Sequence, residues 1–223
     1  AFINLEDSIQ VQKAADLKFF SFGIKKENAD VNIIDVKANP FVEINFSNLI
    51  IKSHLIGLYN ANNINAALTI GKYFGVDDIA IKEGLESYIP ENNRSQLLSK
   101  GTNQIILDAY NANPSSMKVA IENFLQLDNP NKIMILGDMF ELGDASTQEH
   151  LEVLKLLLDK NEIQCFFIGS AFYANKTVTT HFHFYETFDS FSEYLKEIKI
   201  VNSVVLIKGS RGMALERTLQ FFS

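Results

Sequence analysis

The pattern of hydrophobic and polar positions predicts a mixed α/β structure for the first part of the chain. Apolar runs and turn residues there predict strands and a hairpin over residues 19–23, 31–36, 41–46 and 49–52. An alanine-rich stretch with helical spacing predicts a helix over residues 60–74, closed by Gly75. A second helix is predicted over residues 79–88. The polar, proline-containing segment 89–93 is then typical of a linker.

Short apolar strands alternate with helices in the rest of the chain. The predicted strands are residues 104–107, 132–136, 165–168, 181–185 and 204–207. The predicted helices are residues 114–127, 147–160 and 188–198, with a last helix from Met213. Such alternation implies parallel strands with helices on both faces of the sheet. We therefore predict an α/β fold whose second part is a doubly wound, Rossmann-like, mostly parallel sheet.

Composition narrows the classes of function. The chain has 223 residues, a formal net charge of −7 and no basic cluster, which argues against nucleic-acid binding because phosphates require a cationic surface. No apolar run reaches the roughly 20 residues of a membrane-spanning helix, so no membrane insertion is expected. The single cysteine, Cys165, is expected to be buried and unreactive. A chain without disulfides fits a reducing compartment, so we expect a cytoplasmic location.

The first residues do not form a secretion signal. They open the chain abruptly with a strand-like sequence, so we expect a piece of a longer protein. Only two histidines, His181 and His183, have ligand-like spacing, because they alternate along a predicted strand. No further cysteine or carboxylate has suitable spacing to complete such a set. We therefore predict an exposed strand face at these histidines and no metal site.

Polar residues follow three of the predicted strands at their carboxyl ends. The three segments are 108–116, 137–143 and 208–212, and each combines small residues with groups that bind charge. Ligands of open α/β sheets bind at this edge, so together the segments predict a binding site. Each segment alone also has a structural explanation, since Asn113-Pro114 suits a helix start and Gly137-Asp138 suits a turn.

The same segments carry a resemblance to a known family. The sequences DAYNANPSSM, GDMFELG and LIKGSR resemble signatures of the Mur ligases, in this order and at matching spacing. The family's Gly-x-His-Asn-x-x-Asn pattern is matched by residues 57–63, followed by Arg94. Tyr59 stands where histidine is usual, which argues against a nucleotide contact by this side chain, while Asn60 and Asn63 match. The resemblance extends from about residue 2 to about residue 219.

The resemblance implies part of a three-domain enzyme. Residues 1–92 would be the C-terminal part of the central ATP-binding domain without its phosphate loop, and residues 93–223 the Rossmann-like C-terminal domain. The implied reaction is the ATP- and Mg²⁺-dependent addition of D-alanyl-D-alanine to UDP-N-acetylmuramoyl-tripeptide, through an acyl phosphate, in peptidoglycan synthesis. The resemblance also implies a monomer.

Roles for individual residues are implied in the same way. Four residues are expected to bind ATP: Asn60, Asn63, Arg94 and Asp108. The dipeptide would be recognised, or its pocket shaped, by Tyr110, Asn111, Asn113 and Ser116. The incoming ammonium would lie near Asp138, Glu141 and His150. An anionic group of a substrate would bind Lys208, Ser210 and Arg211.

The 223 residues contain no Gly-x-x-x-x-Gly-Lys-Ser/Thr loop, which would bind the nucleotide phosphates and magnesium. We therefore expect the chain alone to be inactive and assign no catalytic residue. Two alternatives stay open at this point. One is another ligase of the superfamily, similar to folylpolyglutamate synthase, and the other is a non-catalytic, nucleotide-binding Rossmann-like domain.

Overall fold

A computed structural model describes residues 1–222, which divide into two compact units. The first unit is Ala1–Ile89 and the second begins at Pro90.

The first unit contains a parallel and an antiparallel sheet. The strands of the parallel sheet are β1 (Phe2–Asn4), β2 (Phe20–Ile24) and β3 (Val31–Ile33). The antiparallel sheet comprises β4 (Asp35–Ala38), β5 (Phe41–Phe46) and β6 (Leu49–Ile56). Its helices are α1 (Ser8–Lys13), α2 (Asn60–Tyr73) and α3 (Asp78–Ser87). Ile33, Ile44 and Leu68 lie in one core formed by both sheets and α2, all fully buried.

The hairpin predicted in this unit is confirmed. Strands β5 and β6 pair across Ser47 and Asn48, which both adopt positive φ angles (47° and 66°). Two such residues are typical of the tight turns whose twist matches that of antiparallel strands. Helix α2 ends one residue before the predicted bound, and Gly75 follows it with φ 74°.

The second unit is built on a six-stranded sheet. The strands are β7 (Gln96–Lys100), β8 (Asn103–Asp108), β9 (Lys132–Gly137), β10 (Gln164–Ile168), β11 (Phe182–Tyr185) and β12 (Val204–Lys208). Their order is β11-β10-β9-β12-β8-β7, and every pair is parallel except β7 with β8. The predicted α/β fold with a mostly parallel sheet is therefore confirmed.

Helices connect these strands and cover the sheet. They are α4 (Pro114–Leu125), α5 (Ser146–Leu157), α6 (Ser170–Ala174) and α7 (Phe188–Glu197). Strand β12 is buried along its whole length, as expected for a central parallel strand covered on both faces. One core cluster joins Ile105 and Ile207 of the sheet to Phe191 and Leu195 of α7.

The predicted helix from Met213 is wrong in type. The chain forms two short 3₁₀ helices, Arg211–Met213 and Leu215–Phe221, separated by Ala214 in the left-handed conformation (φ 48°). A left-handed residue interrupts the regular hydrogen bonding of an α-helix, so the segment cannot continue as one.

The histidine prediction needs a partial correction. His181 is buried rather than on an exposed face, and its Nε2 lies 3.2 Å from the Leu157 carbonyl oxygen. His183 stacks on Phe166, and burial lowers its pKa. Among residues 1–222 there is no cluster of three or more His, Cys, Asp or Glu side chains that could hold a metal ion.

Cys165 is buried in strand β10, and this burial raises the pKa of its thiol to about 12. Of the helices that the structure describes, none is long and apolar enough to cross a membrane.

Candidate functional site

The three polar segments lie side by side at the carboxyl edge of the six-stranded sheet. Strand β12 runs between β8 and β9, and Lys208 at its end is in register with Asp108 of β8 and Leu136 of β9. The segments that follow these strands therefore start next to one another. The sequence-based prediction that they share one edge is confirmed.

A buried ion pair joins two of the segments. Lys208 is only 1 % exposed, and its Nζ donates to Asp108 Oδ2 (2.6 Å) and to the Asn111 carbonyl oxygen (3.2 Å). The other oxygen of Asp108, Oδ1, accepts from the backbone N–H and the hydroxyl of Ser95 (3.2 and 3.3 Å). A buried ammonium group needs such partners because desolvation of an unpaired charge is costly. Both carboxylate oxygens of Asp108 thus have partners within the protein.

Ser210 connects all three segments. Its Oγ accepts from the Phe140 N–H (2.8 Å) and lies 3.5 Å from the Ala112 carbonyl oxygen, to which it donates. Its backbone N–H donates to the Asp138 carbonyl oxygen (3.1 Å). Ser210 is buried, so these bonds are shielded from water. As the structure stands, its hydroxyl braces the segments rather than facing a ligand.

Asp138 and His150 are also buried within the unit. The Asp138 carboxylate accepts from the N–H groups of Ala171 and Phe172 (2.9 and 3.0 Å) at the start of α6. His150 is fully buried, and its Nε2 accepts from the Met139 N–H (3.1 Å). Its Nδ1 therefore carries the proton and donates to the Ser146 carbonyl oxygen (2.7 Å). Both side chains hold the segment after β9 in place and are not exposed to a ligand.

Glu141 contrasts with these two residues. It is exposed, and its backbone adopts a positive φ of 65°. Of the three side chains expected near an incoming ammonium, it alone is accessible as the structure stands.

The segment after β8 is stabilised by local hydrogen bonds. Asn113 is the N-cap of α4: its Oδ1 accepts from the Ser116 N–H (2.8 Å), and the Ser116 Oγ accepts from the Asn113 N–H (3.1 Å). This reciprocal capping box satisfies donors at the helix start. Asn111 Oδ1 accepts from the Ala112 N–H (2.9 Å). These contacts support the structural explanation for Asn113 and Ser116, while Asn111 and Asn113 remain exposed.

Arginine side chains contact the exposed ring of Tyr110 in the same segment. The guanidinium carbon of Arg94 lies 3.9 Å from the ring centroid, and that of Arg211 lies 5.8 Å from it. The Tyr110 N–H donates to the Asn93 carbonyl oxygen (3.2 Å), so the chain near Arg94 is tied to the segment. The structure therefore brings Arg94, Tyr110 and Arg211 together at the carboxyl edge.

Asn60 and Asn63, the two residues of the first unit that were expected to bind ATP, form a hydrogen bond with each other. Asn60 is buried; its Nδ2 donates to the Ile56 carbonyl oxygen (2.8 Å), and its Oδ1 accepts from Asn63 Nδ2 (2.9 Å). The bond to Ile56 ties the start of α2 to the end of β6, and the bond between the two asparagines lies within the first turn of α2. The amide of Asn60 thus has a structural role within its unit, and binding of adenine by this pair stays a prediction.

The participation of Ser95 was missed in the sequence. Ser95 lies two residues beyond the predicted linker 89–93, and only the fold brings its side chain to the end of β8. No local pattern marks such a residue, because its partner is 13 positions away in the sequence.

Comparison with known proteins identifies the family. Residues 93–211 match the family model described as "Mur ligase, glutamate ligase domain", which covers more than half of the chain. The chain belongs to the Mur ligase family. The resemblance found in the DAYNANPSSM, GDMFELG and LIKGSR segments is thereby confirmed, and all three fall within the matched residues.

This Mur ligase chain is similar to proteins of known name. The UDP-N-acetylmuramoyl-tripeptide--D-alanyl-D-alanine ligase of Bacillus subtilis is 33% identical over 176 residues, which cover 74% of this chain and 38% of the relative. A crystal structure of MurF from Acinetobacter baumannii is 26% identical with a TM-score of 0.78, covering 99% of this chain and 50% of that chain. A structure of MurF from Thermotoga maritima in complex with ADP is 23% identical, with a TM-score of 0.77, and the match covers 100% of this chain and 53% of that chain.

The chain spans about half or less of the length of these relatives and solved chains.

Proposed function

We propose that this chain is part of an ATP-dependent ligase that adds D-alanyl-D-alanine to UDP-N-acetylmuramoyl-tripeptide in peptidoglycan synthesis. The observation that carries the proposal is the convergence of the three family segments at one edge of the sheet, held together by Ser210. Its named relatives, the ligases of this specificity, support it. We propose further that residues 1–92 form the end of the central domain and residues 93–223 the C-terminal domain of a cytoplasmic, monomeric enzyme.

The residues at the carboxyl edge fit anionic substrates. Arg94 and Arg211 present guanidinium groups at the surface, where phosphates or carboxylates can take bidentate hydrogen bonds. Bound ATP would supply the phosphoryl group that converts the tripeptide carboxylate into a good acyl donor. We propose that the complete enzyme also uses Mg²⁺, which is usually bound by one or two carboxylates together with the phosphates of the nucleotide.

In the proposed reaction this chain would position the substrates and supply charged side chains that attract them. The exposed carboxylate of Glu141 would attract the ammonium group of the dipeptide, and the arginines would bind an anionic group. The buried pair of Asp108 and Lys208 fixes the backbone of Asn111, whose exposed side chain borders the same edge. Placing an amine and an activated carboxyl in reactive geometry is a large part of catalysis in such transfers.

A phosphate-release assay with a panel of substrates tests this function. We expect the protein of the complete reading frame to release phosphate from ATP only when UDP-N-acetylmuramoyl-tripeptide and D-alanyl-D-alanine are both present. Release with a folate and glutamate would instead support the folylpolyglutamate synthase alternative. Nucleotide binding without release on any substrate would support a non-catalytic domain. Either result would overturn the proposal.

The 223-residue chain serves as the comparison protein in this assay. Because its sequence contains no phosphate-binding loop, we expect no turnover by the chain alone. Turnover at the rate of the longer protein would contradict the proposed division into domains.

A further inference from the structure

The chain contains three arginines, and each lies over an aromatic ring. Arg217 lies 3.9 Å from the centroid of Phe188, and its guanidinium also donates to the carbonyl oxygens of Ala214 (3.0 Å) and Met213 (3.2 Å). These contacts within the protein are sufficient to hold the Arg217 guanidinium in place. Arg217 therefore provides a reference for the other two arginines.

Arg94 and Arg211 differ from Arg217 because they share one ring. Both guanidinium groups lie within 6 Å of the Tyr110 centroid, the range in which a cation is attracted to the ring face. Within residues 1–222, neither guanidinium forms an ion pair or a hydrogen bond to a protein group. Two like charges near one ring repel each other, and an anion bound between them would relieve that repulsion.

The acidic side chains at this edge do not neutralise the two arginines. Asp108 is paired with Lys208 and Ser95, and Asp138 accepts from two backbone N–H groups at the start of α6. Glu141 is exposed and forms no ion pair with either arginine in the described part of the chain. Among the described residues, the two arginines at the carboxyl edge thus have no ion-pair partner.

Tyr110 is itself held in place by the backbone. Its N–H donates to the Asn93 carbonyl oxygen, and the neighbouring Asp108 accepts from Ser95 on the other side of Arg94. Tyr110 is 41 % exposed, and the guanidinium groups that contact its ring belong to exposed residues. A planar guanidinium on an aromatic face keeps its N–H donors directed outward at the rim.

We propose that Tyr110 is a positioning residue that holds Arg94 and Arg211 as one binding site for a single oxyanion, a phosphoryl or carboxylate group. The role assigned to the tyrosine is to organise the two cations rather than to contact the dipeptide. The inference deepens the proposed function but rests on it only for the natural source of the oxyanion. Binding of a probe anion tests the site whether or not the ligase proposal holds.

The experiment follows the arginine side chains directly. In the ¹⁵N-labelled 223-residue chain, the three Nε–Hε resonances are recorded during titration with inorganic pyrophosphate and, separately, with D-alanyl-D-alanine. We expect Arg94 and Arg211 to shift together with one dissociation constant, while Arg217 does not shift. A response to pyrophosphate identifies a phosphoryl source, and a response to the dipeptide identifies a carboxylate source. No response of either arginine to either probe would overturn the proposal.

Variants separate positioning from general packing. Tyr110→Leu removes the aromatic face and is expected to weaken binding about two- to fivefold for each arginine contact, as expected for exposed cation–π pairs. Tyr110→Phe keeps the face and should retain the affinity of the unaltered chain. Phe188→Leu is the matched control, because it removes the 3.9 Å contact to Arg217 and should leave binding unchanged. Equal affinities for Tyr110→Leu and the unaltered chain would contradict the proposal.

A further variant keeps the test independent of the tyrosine. If one oxyanion contacts both guanidinium groups, Arg211→Gln must weaken the response of Arg94 to the same probe. An unchanged dissociation constant at Arg94 would show that the two arginines do not share an anion, and the proposal would fail.

Discussion

Replacing Gly169 by alanine is expected to destabilise the second unit by about 3–5 kcal/mol, the sum of backbone strain and overpacking. Gly169 precedes α6 with φ 126° and ψ 161°, a conformation that is essentially restricted to glycine. A Cβ atom at this position would lie 2.3 Å from Cγ and Oδ2 of Asp138. The carboxylate cannot move away without losing its bonds to the Ala171 and Phe172 N–H groups.

Urea denaturation followed by circular dichroism measures this effect. Gly84→Ala is a suitable control because Gly84 lies within α3 and a Cβ there meets no atom within 4 Å. That substitution should be neutral or stabilise by up to about 1 kcal/mol, the helix propensity difference. If Gly169→Ala unfolds at the same urea concentration as the unaltered chain, the described packing of Asp138 against the start of α6 is wrong.

Lys208→Met is expected to destabilise the second unit by about 3 kcal/mol, near the lower end for a broken buried ion pair. The substitution leaves the Asp108 carboxylate without its ammonium partner and the Asn111 carbonyl without a donor. We place the effect at the low end because Asp108 is partly exposed and keeps its bonds from Ser95. The free energy of unfolding in urea gives the size of the loss.

A double variant distinguishes the ion pair from simple loss of packing. Asp108→Asn removes the charge but keeps an oxygen for Ser95, so Lys208→Met combined with it should recover at least half of the lost stability. Lys118→Met serves as the surface control, since Lys118 lies 3.9 Å from Glu122 with both side chains largely exposed, and it should change stability little. A double variant no more stable than Lys208→Met alone would exclude an electrostatic origin.

Strongly patterned elements could be predicted from the sequence. Strand β12 is apolar throughout and is found at the centre of the sheet, and the hairpin of β5 and β6 is marked by Ser47-Asn48. Strand β7 was missed because Gln96–Lys100 is partly polar and has no fully buried residue. Helices α1 and α6 were missed because segments of five or six residues carry too few turns to show helical periodicity.

The location of the site could be predicted, but the tasks of its residues could not. The rule that ligands bind at the carboxyl ends of parallel strands was sufficient to place the three segments together. The partners of Lys208 and Ser210 lie about 70 to 100 positions away in the sequence, and only the fold brings them into contact. For this reason several residues expected to contact ligand, such as Asp138 and His150, are buried braces in the structure.

We expect the carboxyl edge of the six-stranded sheet to face the substrates of a ligase. Hydrogen–deuterium exchange of the protein of the complete reading frame, with and without ATP, UDP-N-acetylmuramoyl-tripeptide and D-alanyl-D-alanine, tests it directly. The opposite edge is an internal control, because Asn103, Asn131 and Asn202 tie its loops together away from the three segments.

We predict that the substrates slow exchange in segments 108–116, 137–143 and 208–212 and leave the loops 101–103, 128–131 and 201–203 unchanged. Slower exchange in the latter loops alone, or no change in any of the three segments, would contradict the account.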